Sequence, residues 1–154
     1  MREYIIASSE EQMNAAIALF KLYAQWLGID LGFQHFEKEL QELKEMYAPN
    51  IGGIILCRQD NEFIGCVGIR KLTEGTAELK RMFVIPTYQG RGIGNEMLKE
   101  ALILAKKCGY TSIKLDTLNT MLPAMNLYKK NGFVEIAAYY YNPIDTAVYF
   151  EKQL

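Results

Sequence analysis

The chain has 154 residues, half of them hydrophobic and 23% charged, with a formal net charge of −1. That length suits a single domain, residues 1–154, whose core needs no disulfide or metal staple. The near-neutral charge gives no electrostatic reason to expect nucleic acid or an anionic membrane as a partner. Cys57, Cys66 and Cys108 fit no zinc spacing, and their odd number argues against a disulfide framework, so they read as buried small hydrophobes of a cytoplasmic protein. Met1-Arg2-Glu3-Tyr4 lacks the apolar core of a signal peptide. No stretch approaches the ~18 apolar residues that a membrane span needs.

Arg2 to Ala7 leans towards a strand. Ser8 with Glu11, or Ser9 with Gln12, forms a capping box ahead of a helix whose apolar stripe is Met13, Ala16, Ile17, Phe20, Ala24 and Leu27, ending near Gly28. A second helix is expected to carry Phe36, Leu40, Leu43 and Tyr47 on one face. Glu37, Glu39, Glu42 and Lys44 then fall on a solvated face. Ile51 to Arg58 and Phe63 to Leu72 flank the turn Gln59-Asp60-Asn61-Glu62. A further turn at Thr73-Glu74-Gly75-Thr76 leads into Ala77 to Pro86, which makes three antiparallel strands in series. Pro86 cannot donate to a ladder and ends the last of them.

Next comes Gln89-Gly90-Arg91-Gly92-Ile93-Gly94, between that strand and an amphipathic helix carrying Ile93, Met97, Ala101, Leu104, Ala105 and Cys108 and stopped at Gly109. A strand, a glycine-rich turn and a helix form the arrangement that binds phosphates. The first helical amides have no internal partner, and glycines let the backbone approach a diphosphate closely. Thr111 to Thr117 follows as a strand parallel to its predecessor, because a helix joins them. Pro123 to Lys130 is a short helix stopped at Asn131-Gly132, and Phe133 to Tyr141 and Ala147 to Leu154 close the chain as two strands. The order is β-α-α-β-β-β-α-β-α-β-β, a mixed α/β sheet.

Three ligand classes compete for the glycine loop. A nucleoside triphosphate loop needs Gly-Lys followed by Ser or Thr, whereas Gly94 is followed by Asn95-Glu96. A dinucleotide fingerprint should open a repeated βαβ sheet, and here antiparallel strands precede it, although Asp116 lies near where a ribose-binding acid would sit. The third class is the Q/R-x-x-G-x-G/A loop that takes the pyrophosphate of coenzyme A.

On that loop, the strand Ala77 to Val84 and the late Leu127-Tyr128-Lys129-Lys130-Asn131-Gly132-Phe133, the chain resembles the GNAT superfamily of acyl-CoA-dependent N-acetyltransferases. The resemblance spans essentially the whole chain. It implies a mostly antiparallel sheet of about seven strands with strands four and five splayed, and pantetheine lying in the gap like a missing strand. Backbone groups of Met82, Phe83 and Val84 would then meet pantetheine, and one amide there would face the thioester oxygen. Amides of Arg91, Gly92, Ile93, Gly94 and Asn95 would take the pyrophosphate of acetyl-CoA, with Gly90 shaping the approach. Gln89 either contacts phosphate or only shapes the turn, and Arg91 either adds charge or points to solvent. Lys129 and Lys130 either approach the 3′-phosphate or simply solvate their helix.

The same resemblance implies transfer of an acetyl group to a primary amine of a small molecule or peptide by direct attack, with no metal. The acceptor ammonium, near its usual pKa of ~10.4, must lose a proton, and the departing thiolate benefits from gaining one. Glu78 is the first candidate base and Asp116 the second; a strand glutamate paired with Lys80 and an aspartate capping a turn are the plain alternatives. Tyr128 is the candidate acid, against a purely packing role. Many relatives carry an asparagine where this chain has Met121. The lone histidine, His35, reads as structural. Trp26, Phe33, Phe36 and Tyr139-Tyr140-Tyr141 either line an acceptor pocket or pack in the core or in a homodimer. A coenzyme A-binding regulatory module without turnover is the alternative to an enzyme.

Overall fold

The computed structural model describes all residues from Met1 to Leu154. A seven-stranded sheet is built from β1 (Arg2–Ile6), β2 (Gly53–Gln59), β3 (Glu62–Thr73), β4 (Thr76–Val84), β5 (Ser112–Leu118), β6 (Val134–Ile136) and β7 (Ala147–Gln153). Its spatial order is β1-β2-β3-β4-β5-β7-β6, and only the β4–β5 pair is parallel. The β2–β3 hairpin turns at Asp60 and Asn61, both with positive φ, the backbone such a tight turn requires.

Strand alternation divides the core between the two faces. Ile55, Cys57, Val67 and Ile69 look towards α4 (Ile93–Lys107), with Met97, Leu98, Ala101 and Ala105 packed over them. Ile54, Leu56, Cys66 and Phe83 look towards α1 (Glu10–Leu27), meeting Met13, Ala16 and Phe20. Both faces are covered, so β2 and β3 are apolar almost throughout. Helix α1 starts at a full capping box between Ser9 and Gln12 and stops at left-handed Gly28. All three cysteines are free thiols, and no helix is long and apolar enough to cross a membrane.

Two elements depart from expectation. The second helix is broken into a 3-10 turn at Leu31–Gln34, α2 (Phe36–Gln41) and α3 (Leu43–Met46). Glu39, expected on a solvated face, is completely buried, because it serves as counter-ion to Arg81. It stands three residues after Phe36 and four before Leu43, hence on the apolar face rather than opposite it. The strand expected over Phe133 to Tyr141 is pairable only over Val134–Ile136. Beyond it the chain leaves the sheet, and the Tyr139 and Tyr140 hydroxyls turn to the carboxylates of Glu78 and Asp116 instead of alternating across a strand.

Candidate active site

The site begins where two strands part. β4 and β5 pair at Thr76↔Ser112, Ala77↔Ile113 and Glu78↔Lys114, and no further. β5 continues to Leu118 with β7 on its other edge, so from Leu79 onward β4 loses its neighbour on that side. A bulge enforces the departure. Cys66 faces Phe83 and Gly68 faces Lys80, which leaves Arg81 and Met82 opposite Val67 alone. Arg81 adopts φ of 57°, a left-handed backbone costing about 1–2 kcal/mol in a non-glycine residue. Across from the bulge, Gly68 has no side chain because Tyr47 lies against it; an added Cβ would sit 2.5 Å from that ring.

Beside the open edge of β4 lies a cleft of about 460 Å³. Its walls include Met82, Phe83, Val84, Gln89, Gly90, Gly92, Ile93, Gly94 and Asn95, completed by Trp26, Tyr88, Met121 and Leu127. Gly90 and Gly92 have φ of 79° and 80°, and nothing lies within 4 Å of where their Cβ atoms would project. That leaves an open cradle of bare backbone. The first turn of α4 carries no side-chain cap, so its leading amides stay free to meet an anion. Gln89 donates from Nε2 to the Val84 carbonyl at 2.9 Å and closes the turn. Asn95 accepts from Asn131 at 3.1 Å through its side chain and also lines the cleft. Arg91 stands apart from the walls, its guanidinium 5.3 Å from the centre of the Tyr88 ring. Unpaired amides at the helix start and an unpaired strand edge suit the pyrophosphate and the amide-bearing arm of an acyl carrier.

The second half of the site is a buried set of charges on the α1 side of β4. Arg81 grips Glu39 with two nitrogens, Nη2 to Oε1 at 2.7 Å and Nε to Oε2 at 3.3 Å, while Tyr47 donates to Oε2 at 2.7 Å. Glu78 accepts from Arg70 at 3.1 Å and from the Tyr139 hydroxyl at 2.7 Å, so its partners are these rather than Lys80. Lys80 turns instead to Gln34 Oε1 at 3.2 Å and lies 3.7 Å from Asp116 Oδ1. The Asp116 Oδ2 atom accepts from the Tyr140 hydroxyl at 2.7 Å. Gln34 ties the set together, since its Oε1 also accepts from Arg81 at 2.6 Å and its Nε2 donates to Tyr140 at 2.8 Å. Three cations, Arg70, Lys80 and Arg81, thus balance three carboxylates, Glu39, Glu78 and Asp116. Burial pushes the Lys80 ammonium below the usual lysine range.

Lys80, Arg81, Gln34 and Asp116 line a second, smaller cavity with Leu27, Ile29, Leu31, Phe33, Asn142 and Ile144. Met121 lines both cavities and stands at their junction. Tyr128, on α5 (Leu122–Lys130), is buried between Phe133 and Phe150, with ring centres 5.7 and 6.2 Å away. Burial, with smaller contributions from Tyr23 and Asp116, raises its phenol further above the ordinary tyrosine value, so it stays protonated at neutral pH. Neither Tyr128 nor Glu78 is among the residues lining the two cavities; Asp116 is.

The sequence profile of the acetyltransferase (GNAT) family matches residues 9–133. An uncharacterised N-acetyltransferase of Schizosaccharomyces pombe is 37% identical over 138 residues, covering 88% of this chain and 85% of that protein. The chain belongs to the GNAT family of acetyltransferases. An IAA acetyltransferase of Azospirillum brasilense is 30% identical over the full length of both chains, 156 aligned positions. Among solved folds, a Streptococcus agalactiae acetyltransferase superposes with TM-score 0.80 at 20% identity, covering 99% of this chain and 98% of that one. A GNAT acetyltransferase of Elizabethkingia anophelis, with acetyl-CoA bound, gives TM-score 0.60 at 27% identity over 73% of this chain and 82% of its own.

As a GNAT acetyltransferase the protein is an acyl-CoA-dependent N-acetyltransferase with the family's mixed sheet. Four residues of its site escape motif reading: Gln34, Glu39, Lys80 and Arg81. The signal for three of them was present. Two adjacent cations inside the run Leu79 to Val84 must find counter-ions if that strand is buried, and a glutamate on the apolar face of a helix is one. Gln34 carries no such signal, since it acts from an irregular turn.

Proposed function

We propose that the protein moves the acetyl group of acetyl-CoA to the primary amine of a small molecule, by direct attack of the amine on the thioester. The observation that carries this reading is the parting of β4 from β5, with the glycine cradle at the mouth of one cavity and Asp116 in the wall of the next. Acetyl-CoA supplies the activated acyl group. Met82, Phe83 and Val84 offer backbone partners along the opened edge, and Gly90 to Asn95 offer amides to the diphosphate. In this reading Asp116 takes the proton released by the acceptor ammonium, because its carboxylate reaches the cavity wall whereas Glu78 is committed to Arg70 and Tyr139. Glu78 then holds Tyr139 beside Tyr140, whose ring centre is 5.4 Å away. We assign the phenolic proton for the departing sulfur to Tyr128 from its place in the Leu127-to-Phe133 signature, directly after the cleft-lining Leu127, and not from the cavity walls, which it does not line.

Thiol release from acetyl-CoA, followed across a panel of primary amines, tests the reading. Turnover with at least one amine supports it. A protein that binds coenzyme A tightly yet releases no thiol with any amine would instead be the regulatory module.

A further inference from the structure

Among the three cations of this set, Lys80 is the least completely paired. Arg81 is held by two contacts to Glu39, and Arg70 lies 3.1 Å from Glu78. The Lys80 ammonium has three hydrogens but one hydrogen bond, 3.2 Å to the neutral oxygen of Gln34. Its nearest carboxylate oxygen, on Asp116, is 3.7 Å away, beyond a normal N–H···O contact. Only 4% of the Lys80 side chain is exposed, so water cannot make up the deficit freely. A buried cation with spare donors on a cavity wall is a receptor for an anion.

Asp116 shares that wall, which sets a cation and a carboxylate 3.7 Å apart on the surface of one small cavity. An α-amino acid carries an ammonium and a carboxylate on one carbon, at a matching separation and with opposite signs. Asp116 is the sole acidic residue lining the cavity, whereas Leu27, Ile29, Leu31, Phe33 and Ile144 supply an apolar wall. An acceptor with several positive charges would set the extra ones against that wall and against Lys80 and Arg81.

We infer that the acceptor is a small α-amino acid with an apolar side chain, its carboxylate held by Lys80 and its amine presented to Asp116. This rests on the transferase reading above. The proton balance is that of amide formation. The ammonium gives one proton to Asp116, the nitrogen forms the new C–N bond as the C–S bond breaks, and a second nitrogen proton is lost as the sulfur is protonated through Tyr128. The carboxylate is unchanged.

The cavity holds about 40 Å³, so the experiment compares L-alanine, L-alaninamide and ethylamine as acceptors by thiol release, with tryptophan fluorescence of Trp26 reporting acetyl-CoA binding in parallel. The expected kcat/KM for L-alanine exceeds both others by at least about tenfold, the size of effect that one lost charged hydrogen bond produces. Alaninamide is the more easily deprotonated amine, so basicity cannot produce the preference over it. Lys80→Met should erase the advantage of L-alanine while acetyl-CoA binding persists. Equal or faster turnover of alaninamide or ethylamine sinks the amino-acid assignment and leaves the transferase standing. Thiol release with no amine at all, despite fluorescence showing acetyl-CoA bound, sinks both. If Lys80→Met fails to fold, the wild-type ratio alone decides.

Discussion

Arg81 on the bulged strand β4 and Glu39 on α2 meet through a 2.7 Å bond that spans 42 residues of sequence, buried at both ends. The bond holds a left-handed arginine in a central strand, and with it the bulge that turns β4 away from β5. Removing one partner of such a pair leaves a buried charge uncompensated, typically at a cost of about 3–5 kcal/mol. Glu39→Gln should lower unfolding stability by that order in urea denaturation, and should also weaken acetyl-CoA binding as the bulge relaxes. Wild-type stability in the variant would mean that the backbone holds its own shape.

The same pair sets an acid limit. Burial alone would push the Glu39 carboxyl up, but the Arg81 charge and its hydrogen bonds, joined by Tyr47, bring it below the usual carboxylate range. A carboxyl depressed on folding adds stability that is present above its unfolded value, about 4.3, and is lost as pH falls through the folded one. The melting temperature of the wild type should therefore drop steeply below about pH 4. Glu39→Gln should start lower and descend less over that interval. Parallel melting curves across the window would remove Glu39 from the acid response.

Gly92→Val tests the cradle. Its Cβ finds open space in the free protein, so the cost to folding is confined to the left-handed backbone, about 1–2 kcal/mol. A branched side chain projecting where a diphosphate must approach should abolish binding. Trp26 is the single tryptophan and lines the same cleft, 45% exposed, so its emission should change as acetyl-CoA binds the wild type and stay flat in the variant. A normal titration in Gly92→Val would put the diphosphate elsewhere.

Tyr128→Phe removes the hydroxyl while keeping the ring between Phe133 and Phe150. Stability and the KM for acetyl-CoA should change little. The kcat should fall on the order of 100-fold, the usual worth of a positioned proton donor. A raised KM with unaltered kcat would give the phenol a binding role only.

Asp116→Asn keeps the shape and the Tyr140 contact but removes the proton acceptor. The kcat/KM should drop by about 100-fold while acetyl-CoA binding, read from Trp26 emission, is unchanged. An unchanged kcat/KM would shift the role to Glu78.

The periodic elements were legible in the residues: the capping box at Ser9, the stops at Gly28 and Gly109, the Asp60-Asn61 turn and the glycine loop all act through local chemistry. What escaped notice depends on contacts between distant segments. Glu39 looked like one more solvated glutamate because its partner lies across the core. Tyr139 and Tyr140 fitted a strand by composition, yet their hydroxyls are drawn to Glu78 and Asp116, and no local propensity encodes that pull. The glycine loop is a contiguous motif, whereas the smaller cavity draws on α1, the 3-10 turn, β4, β5 and the segment after β6, and so leaves no contiguous trace.

The three rungs at Thr76, Ala77 and Glu78 are the whole ladder between the four strands on one side and the three on the other. A molecule laid along the remaining length of that seam would act as a splint, supplying rungs that the polypeptide leaves out. Substrate loading and mechanical stiffening of the protein are then a single event, and amide exchange along β5 should slow when the slot is filled.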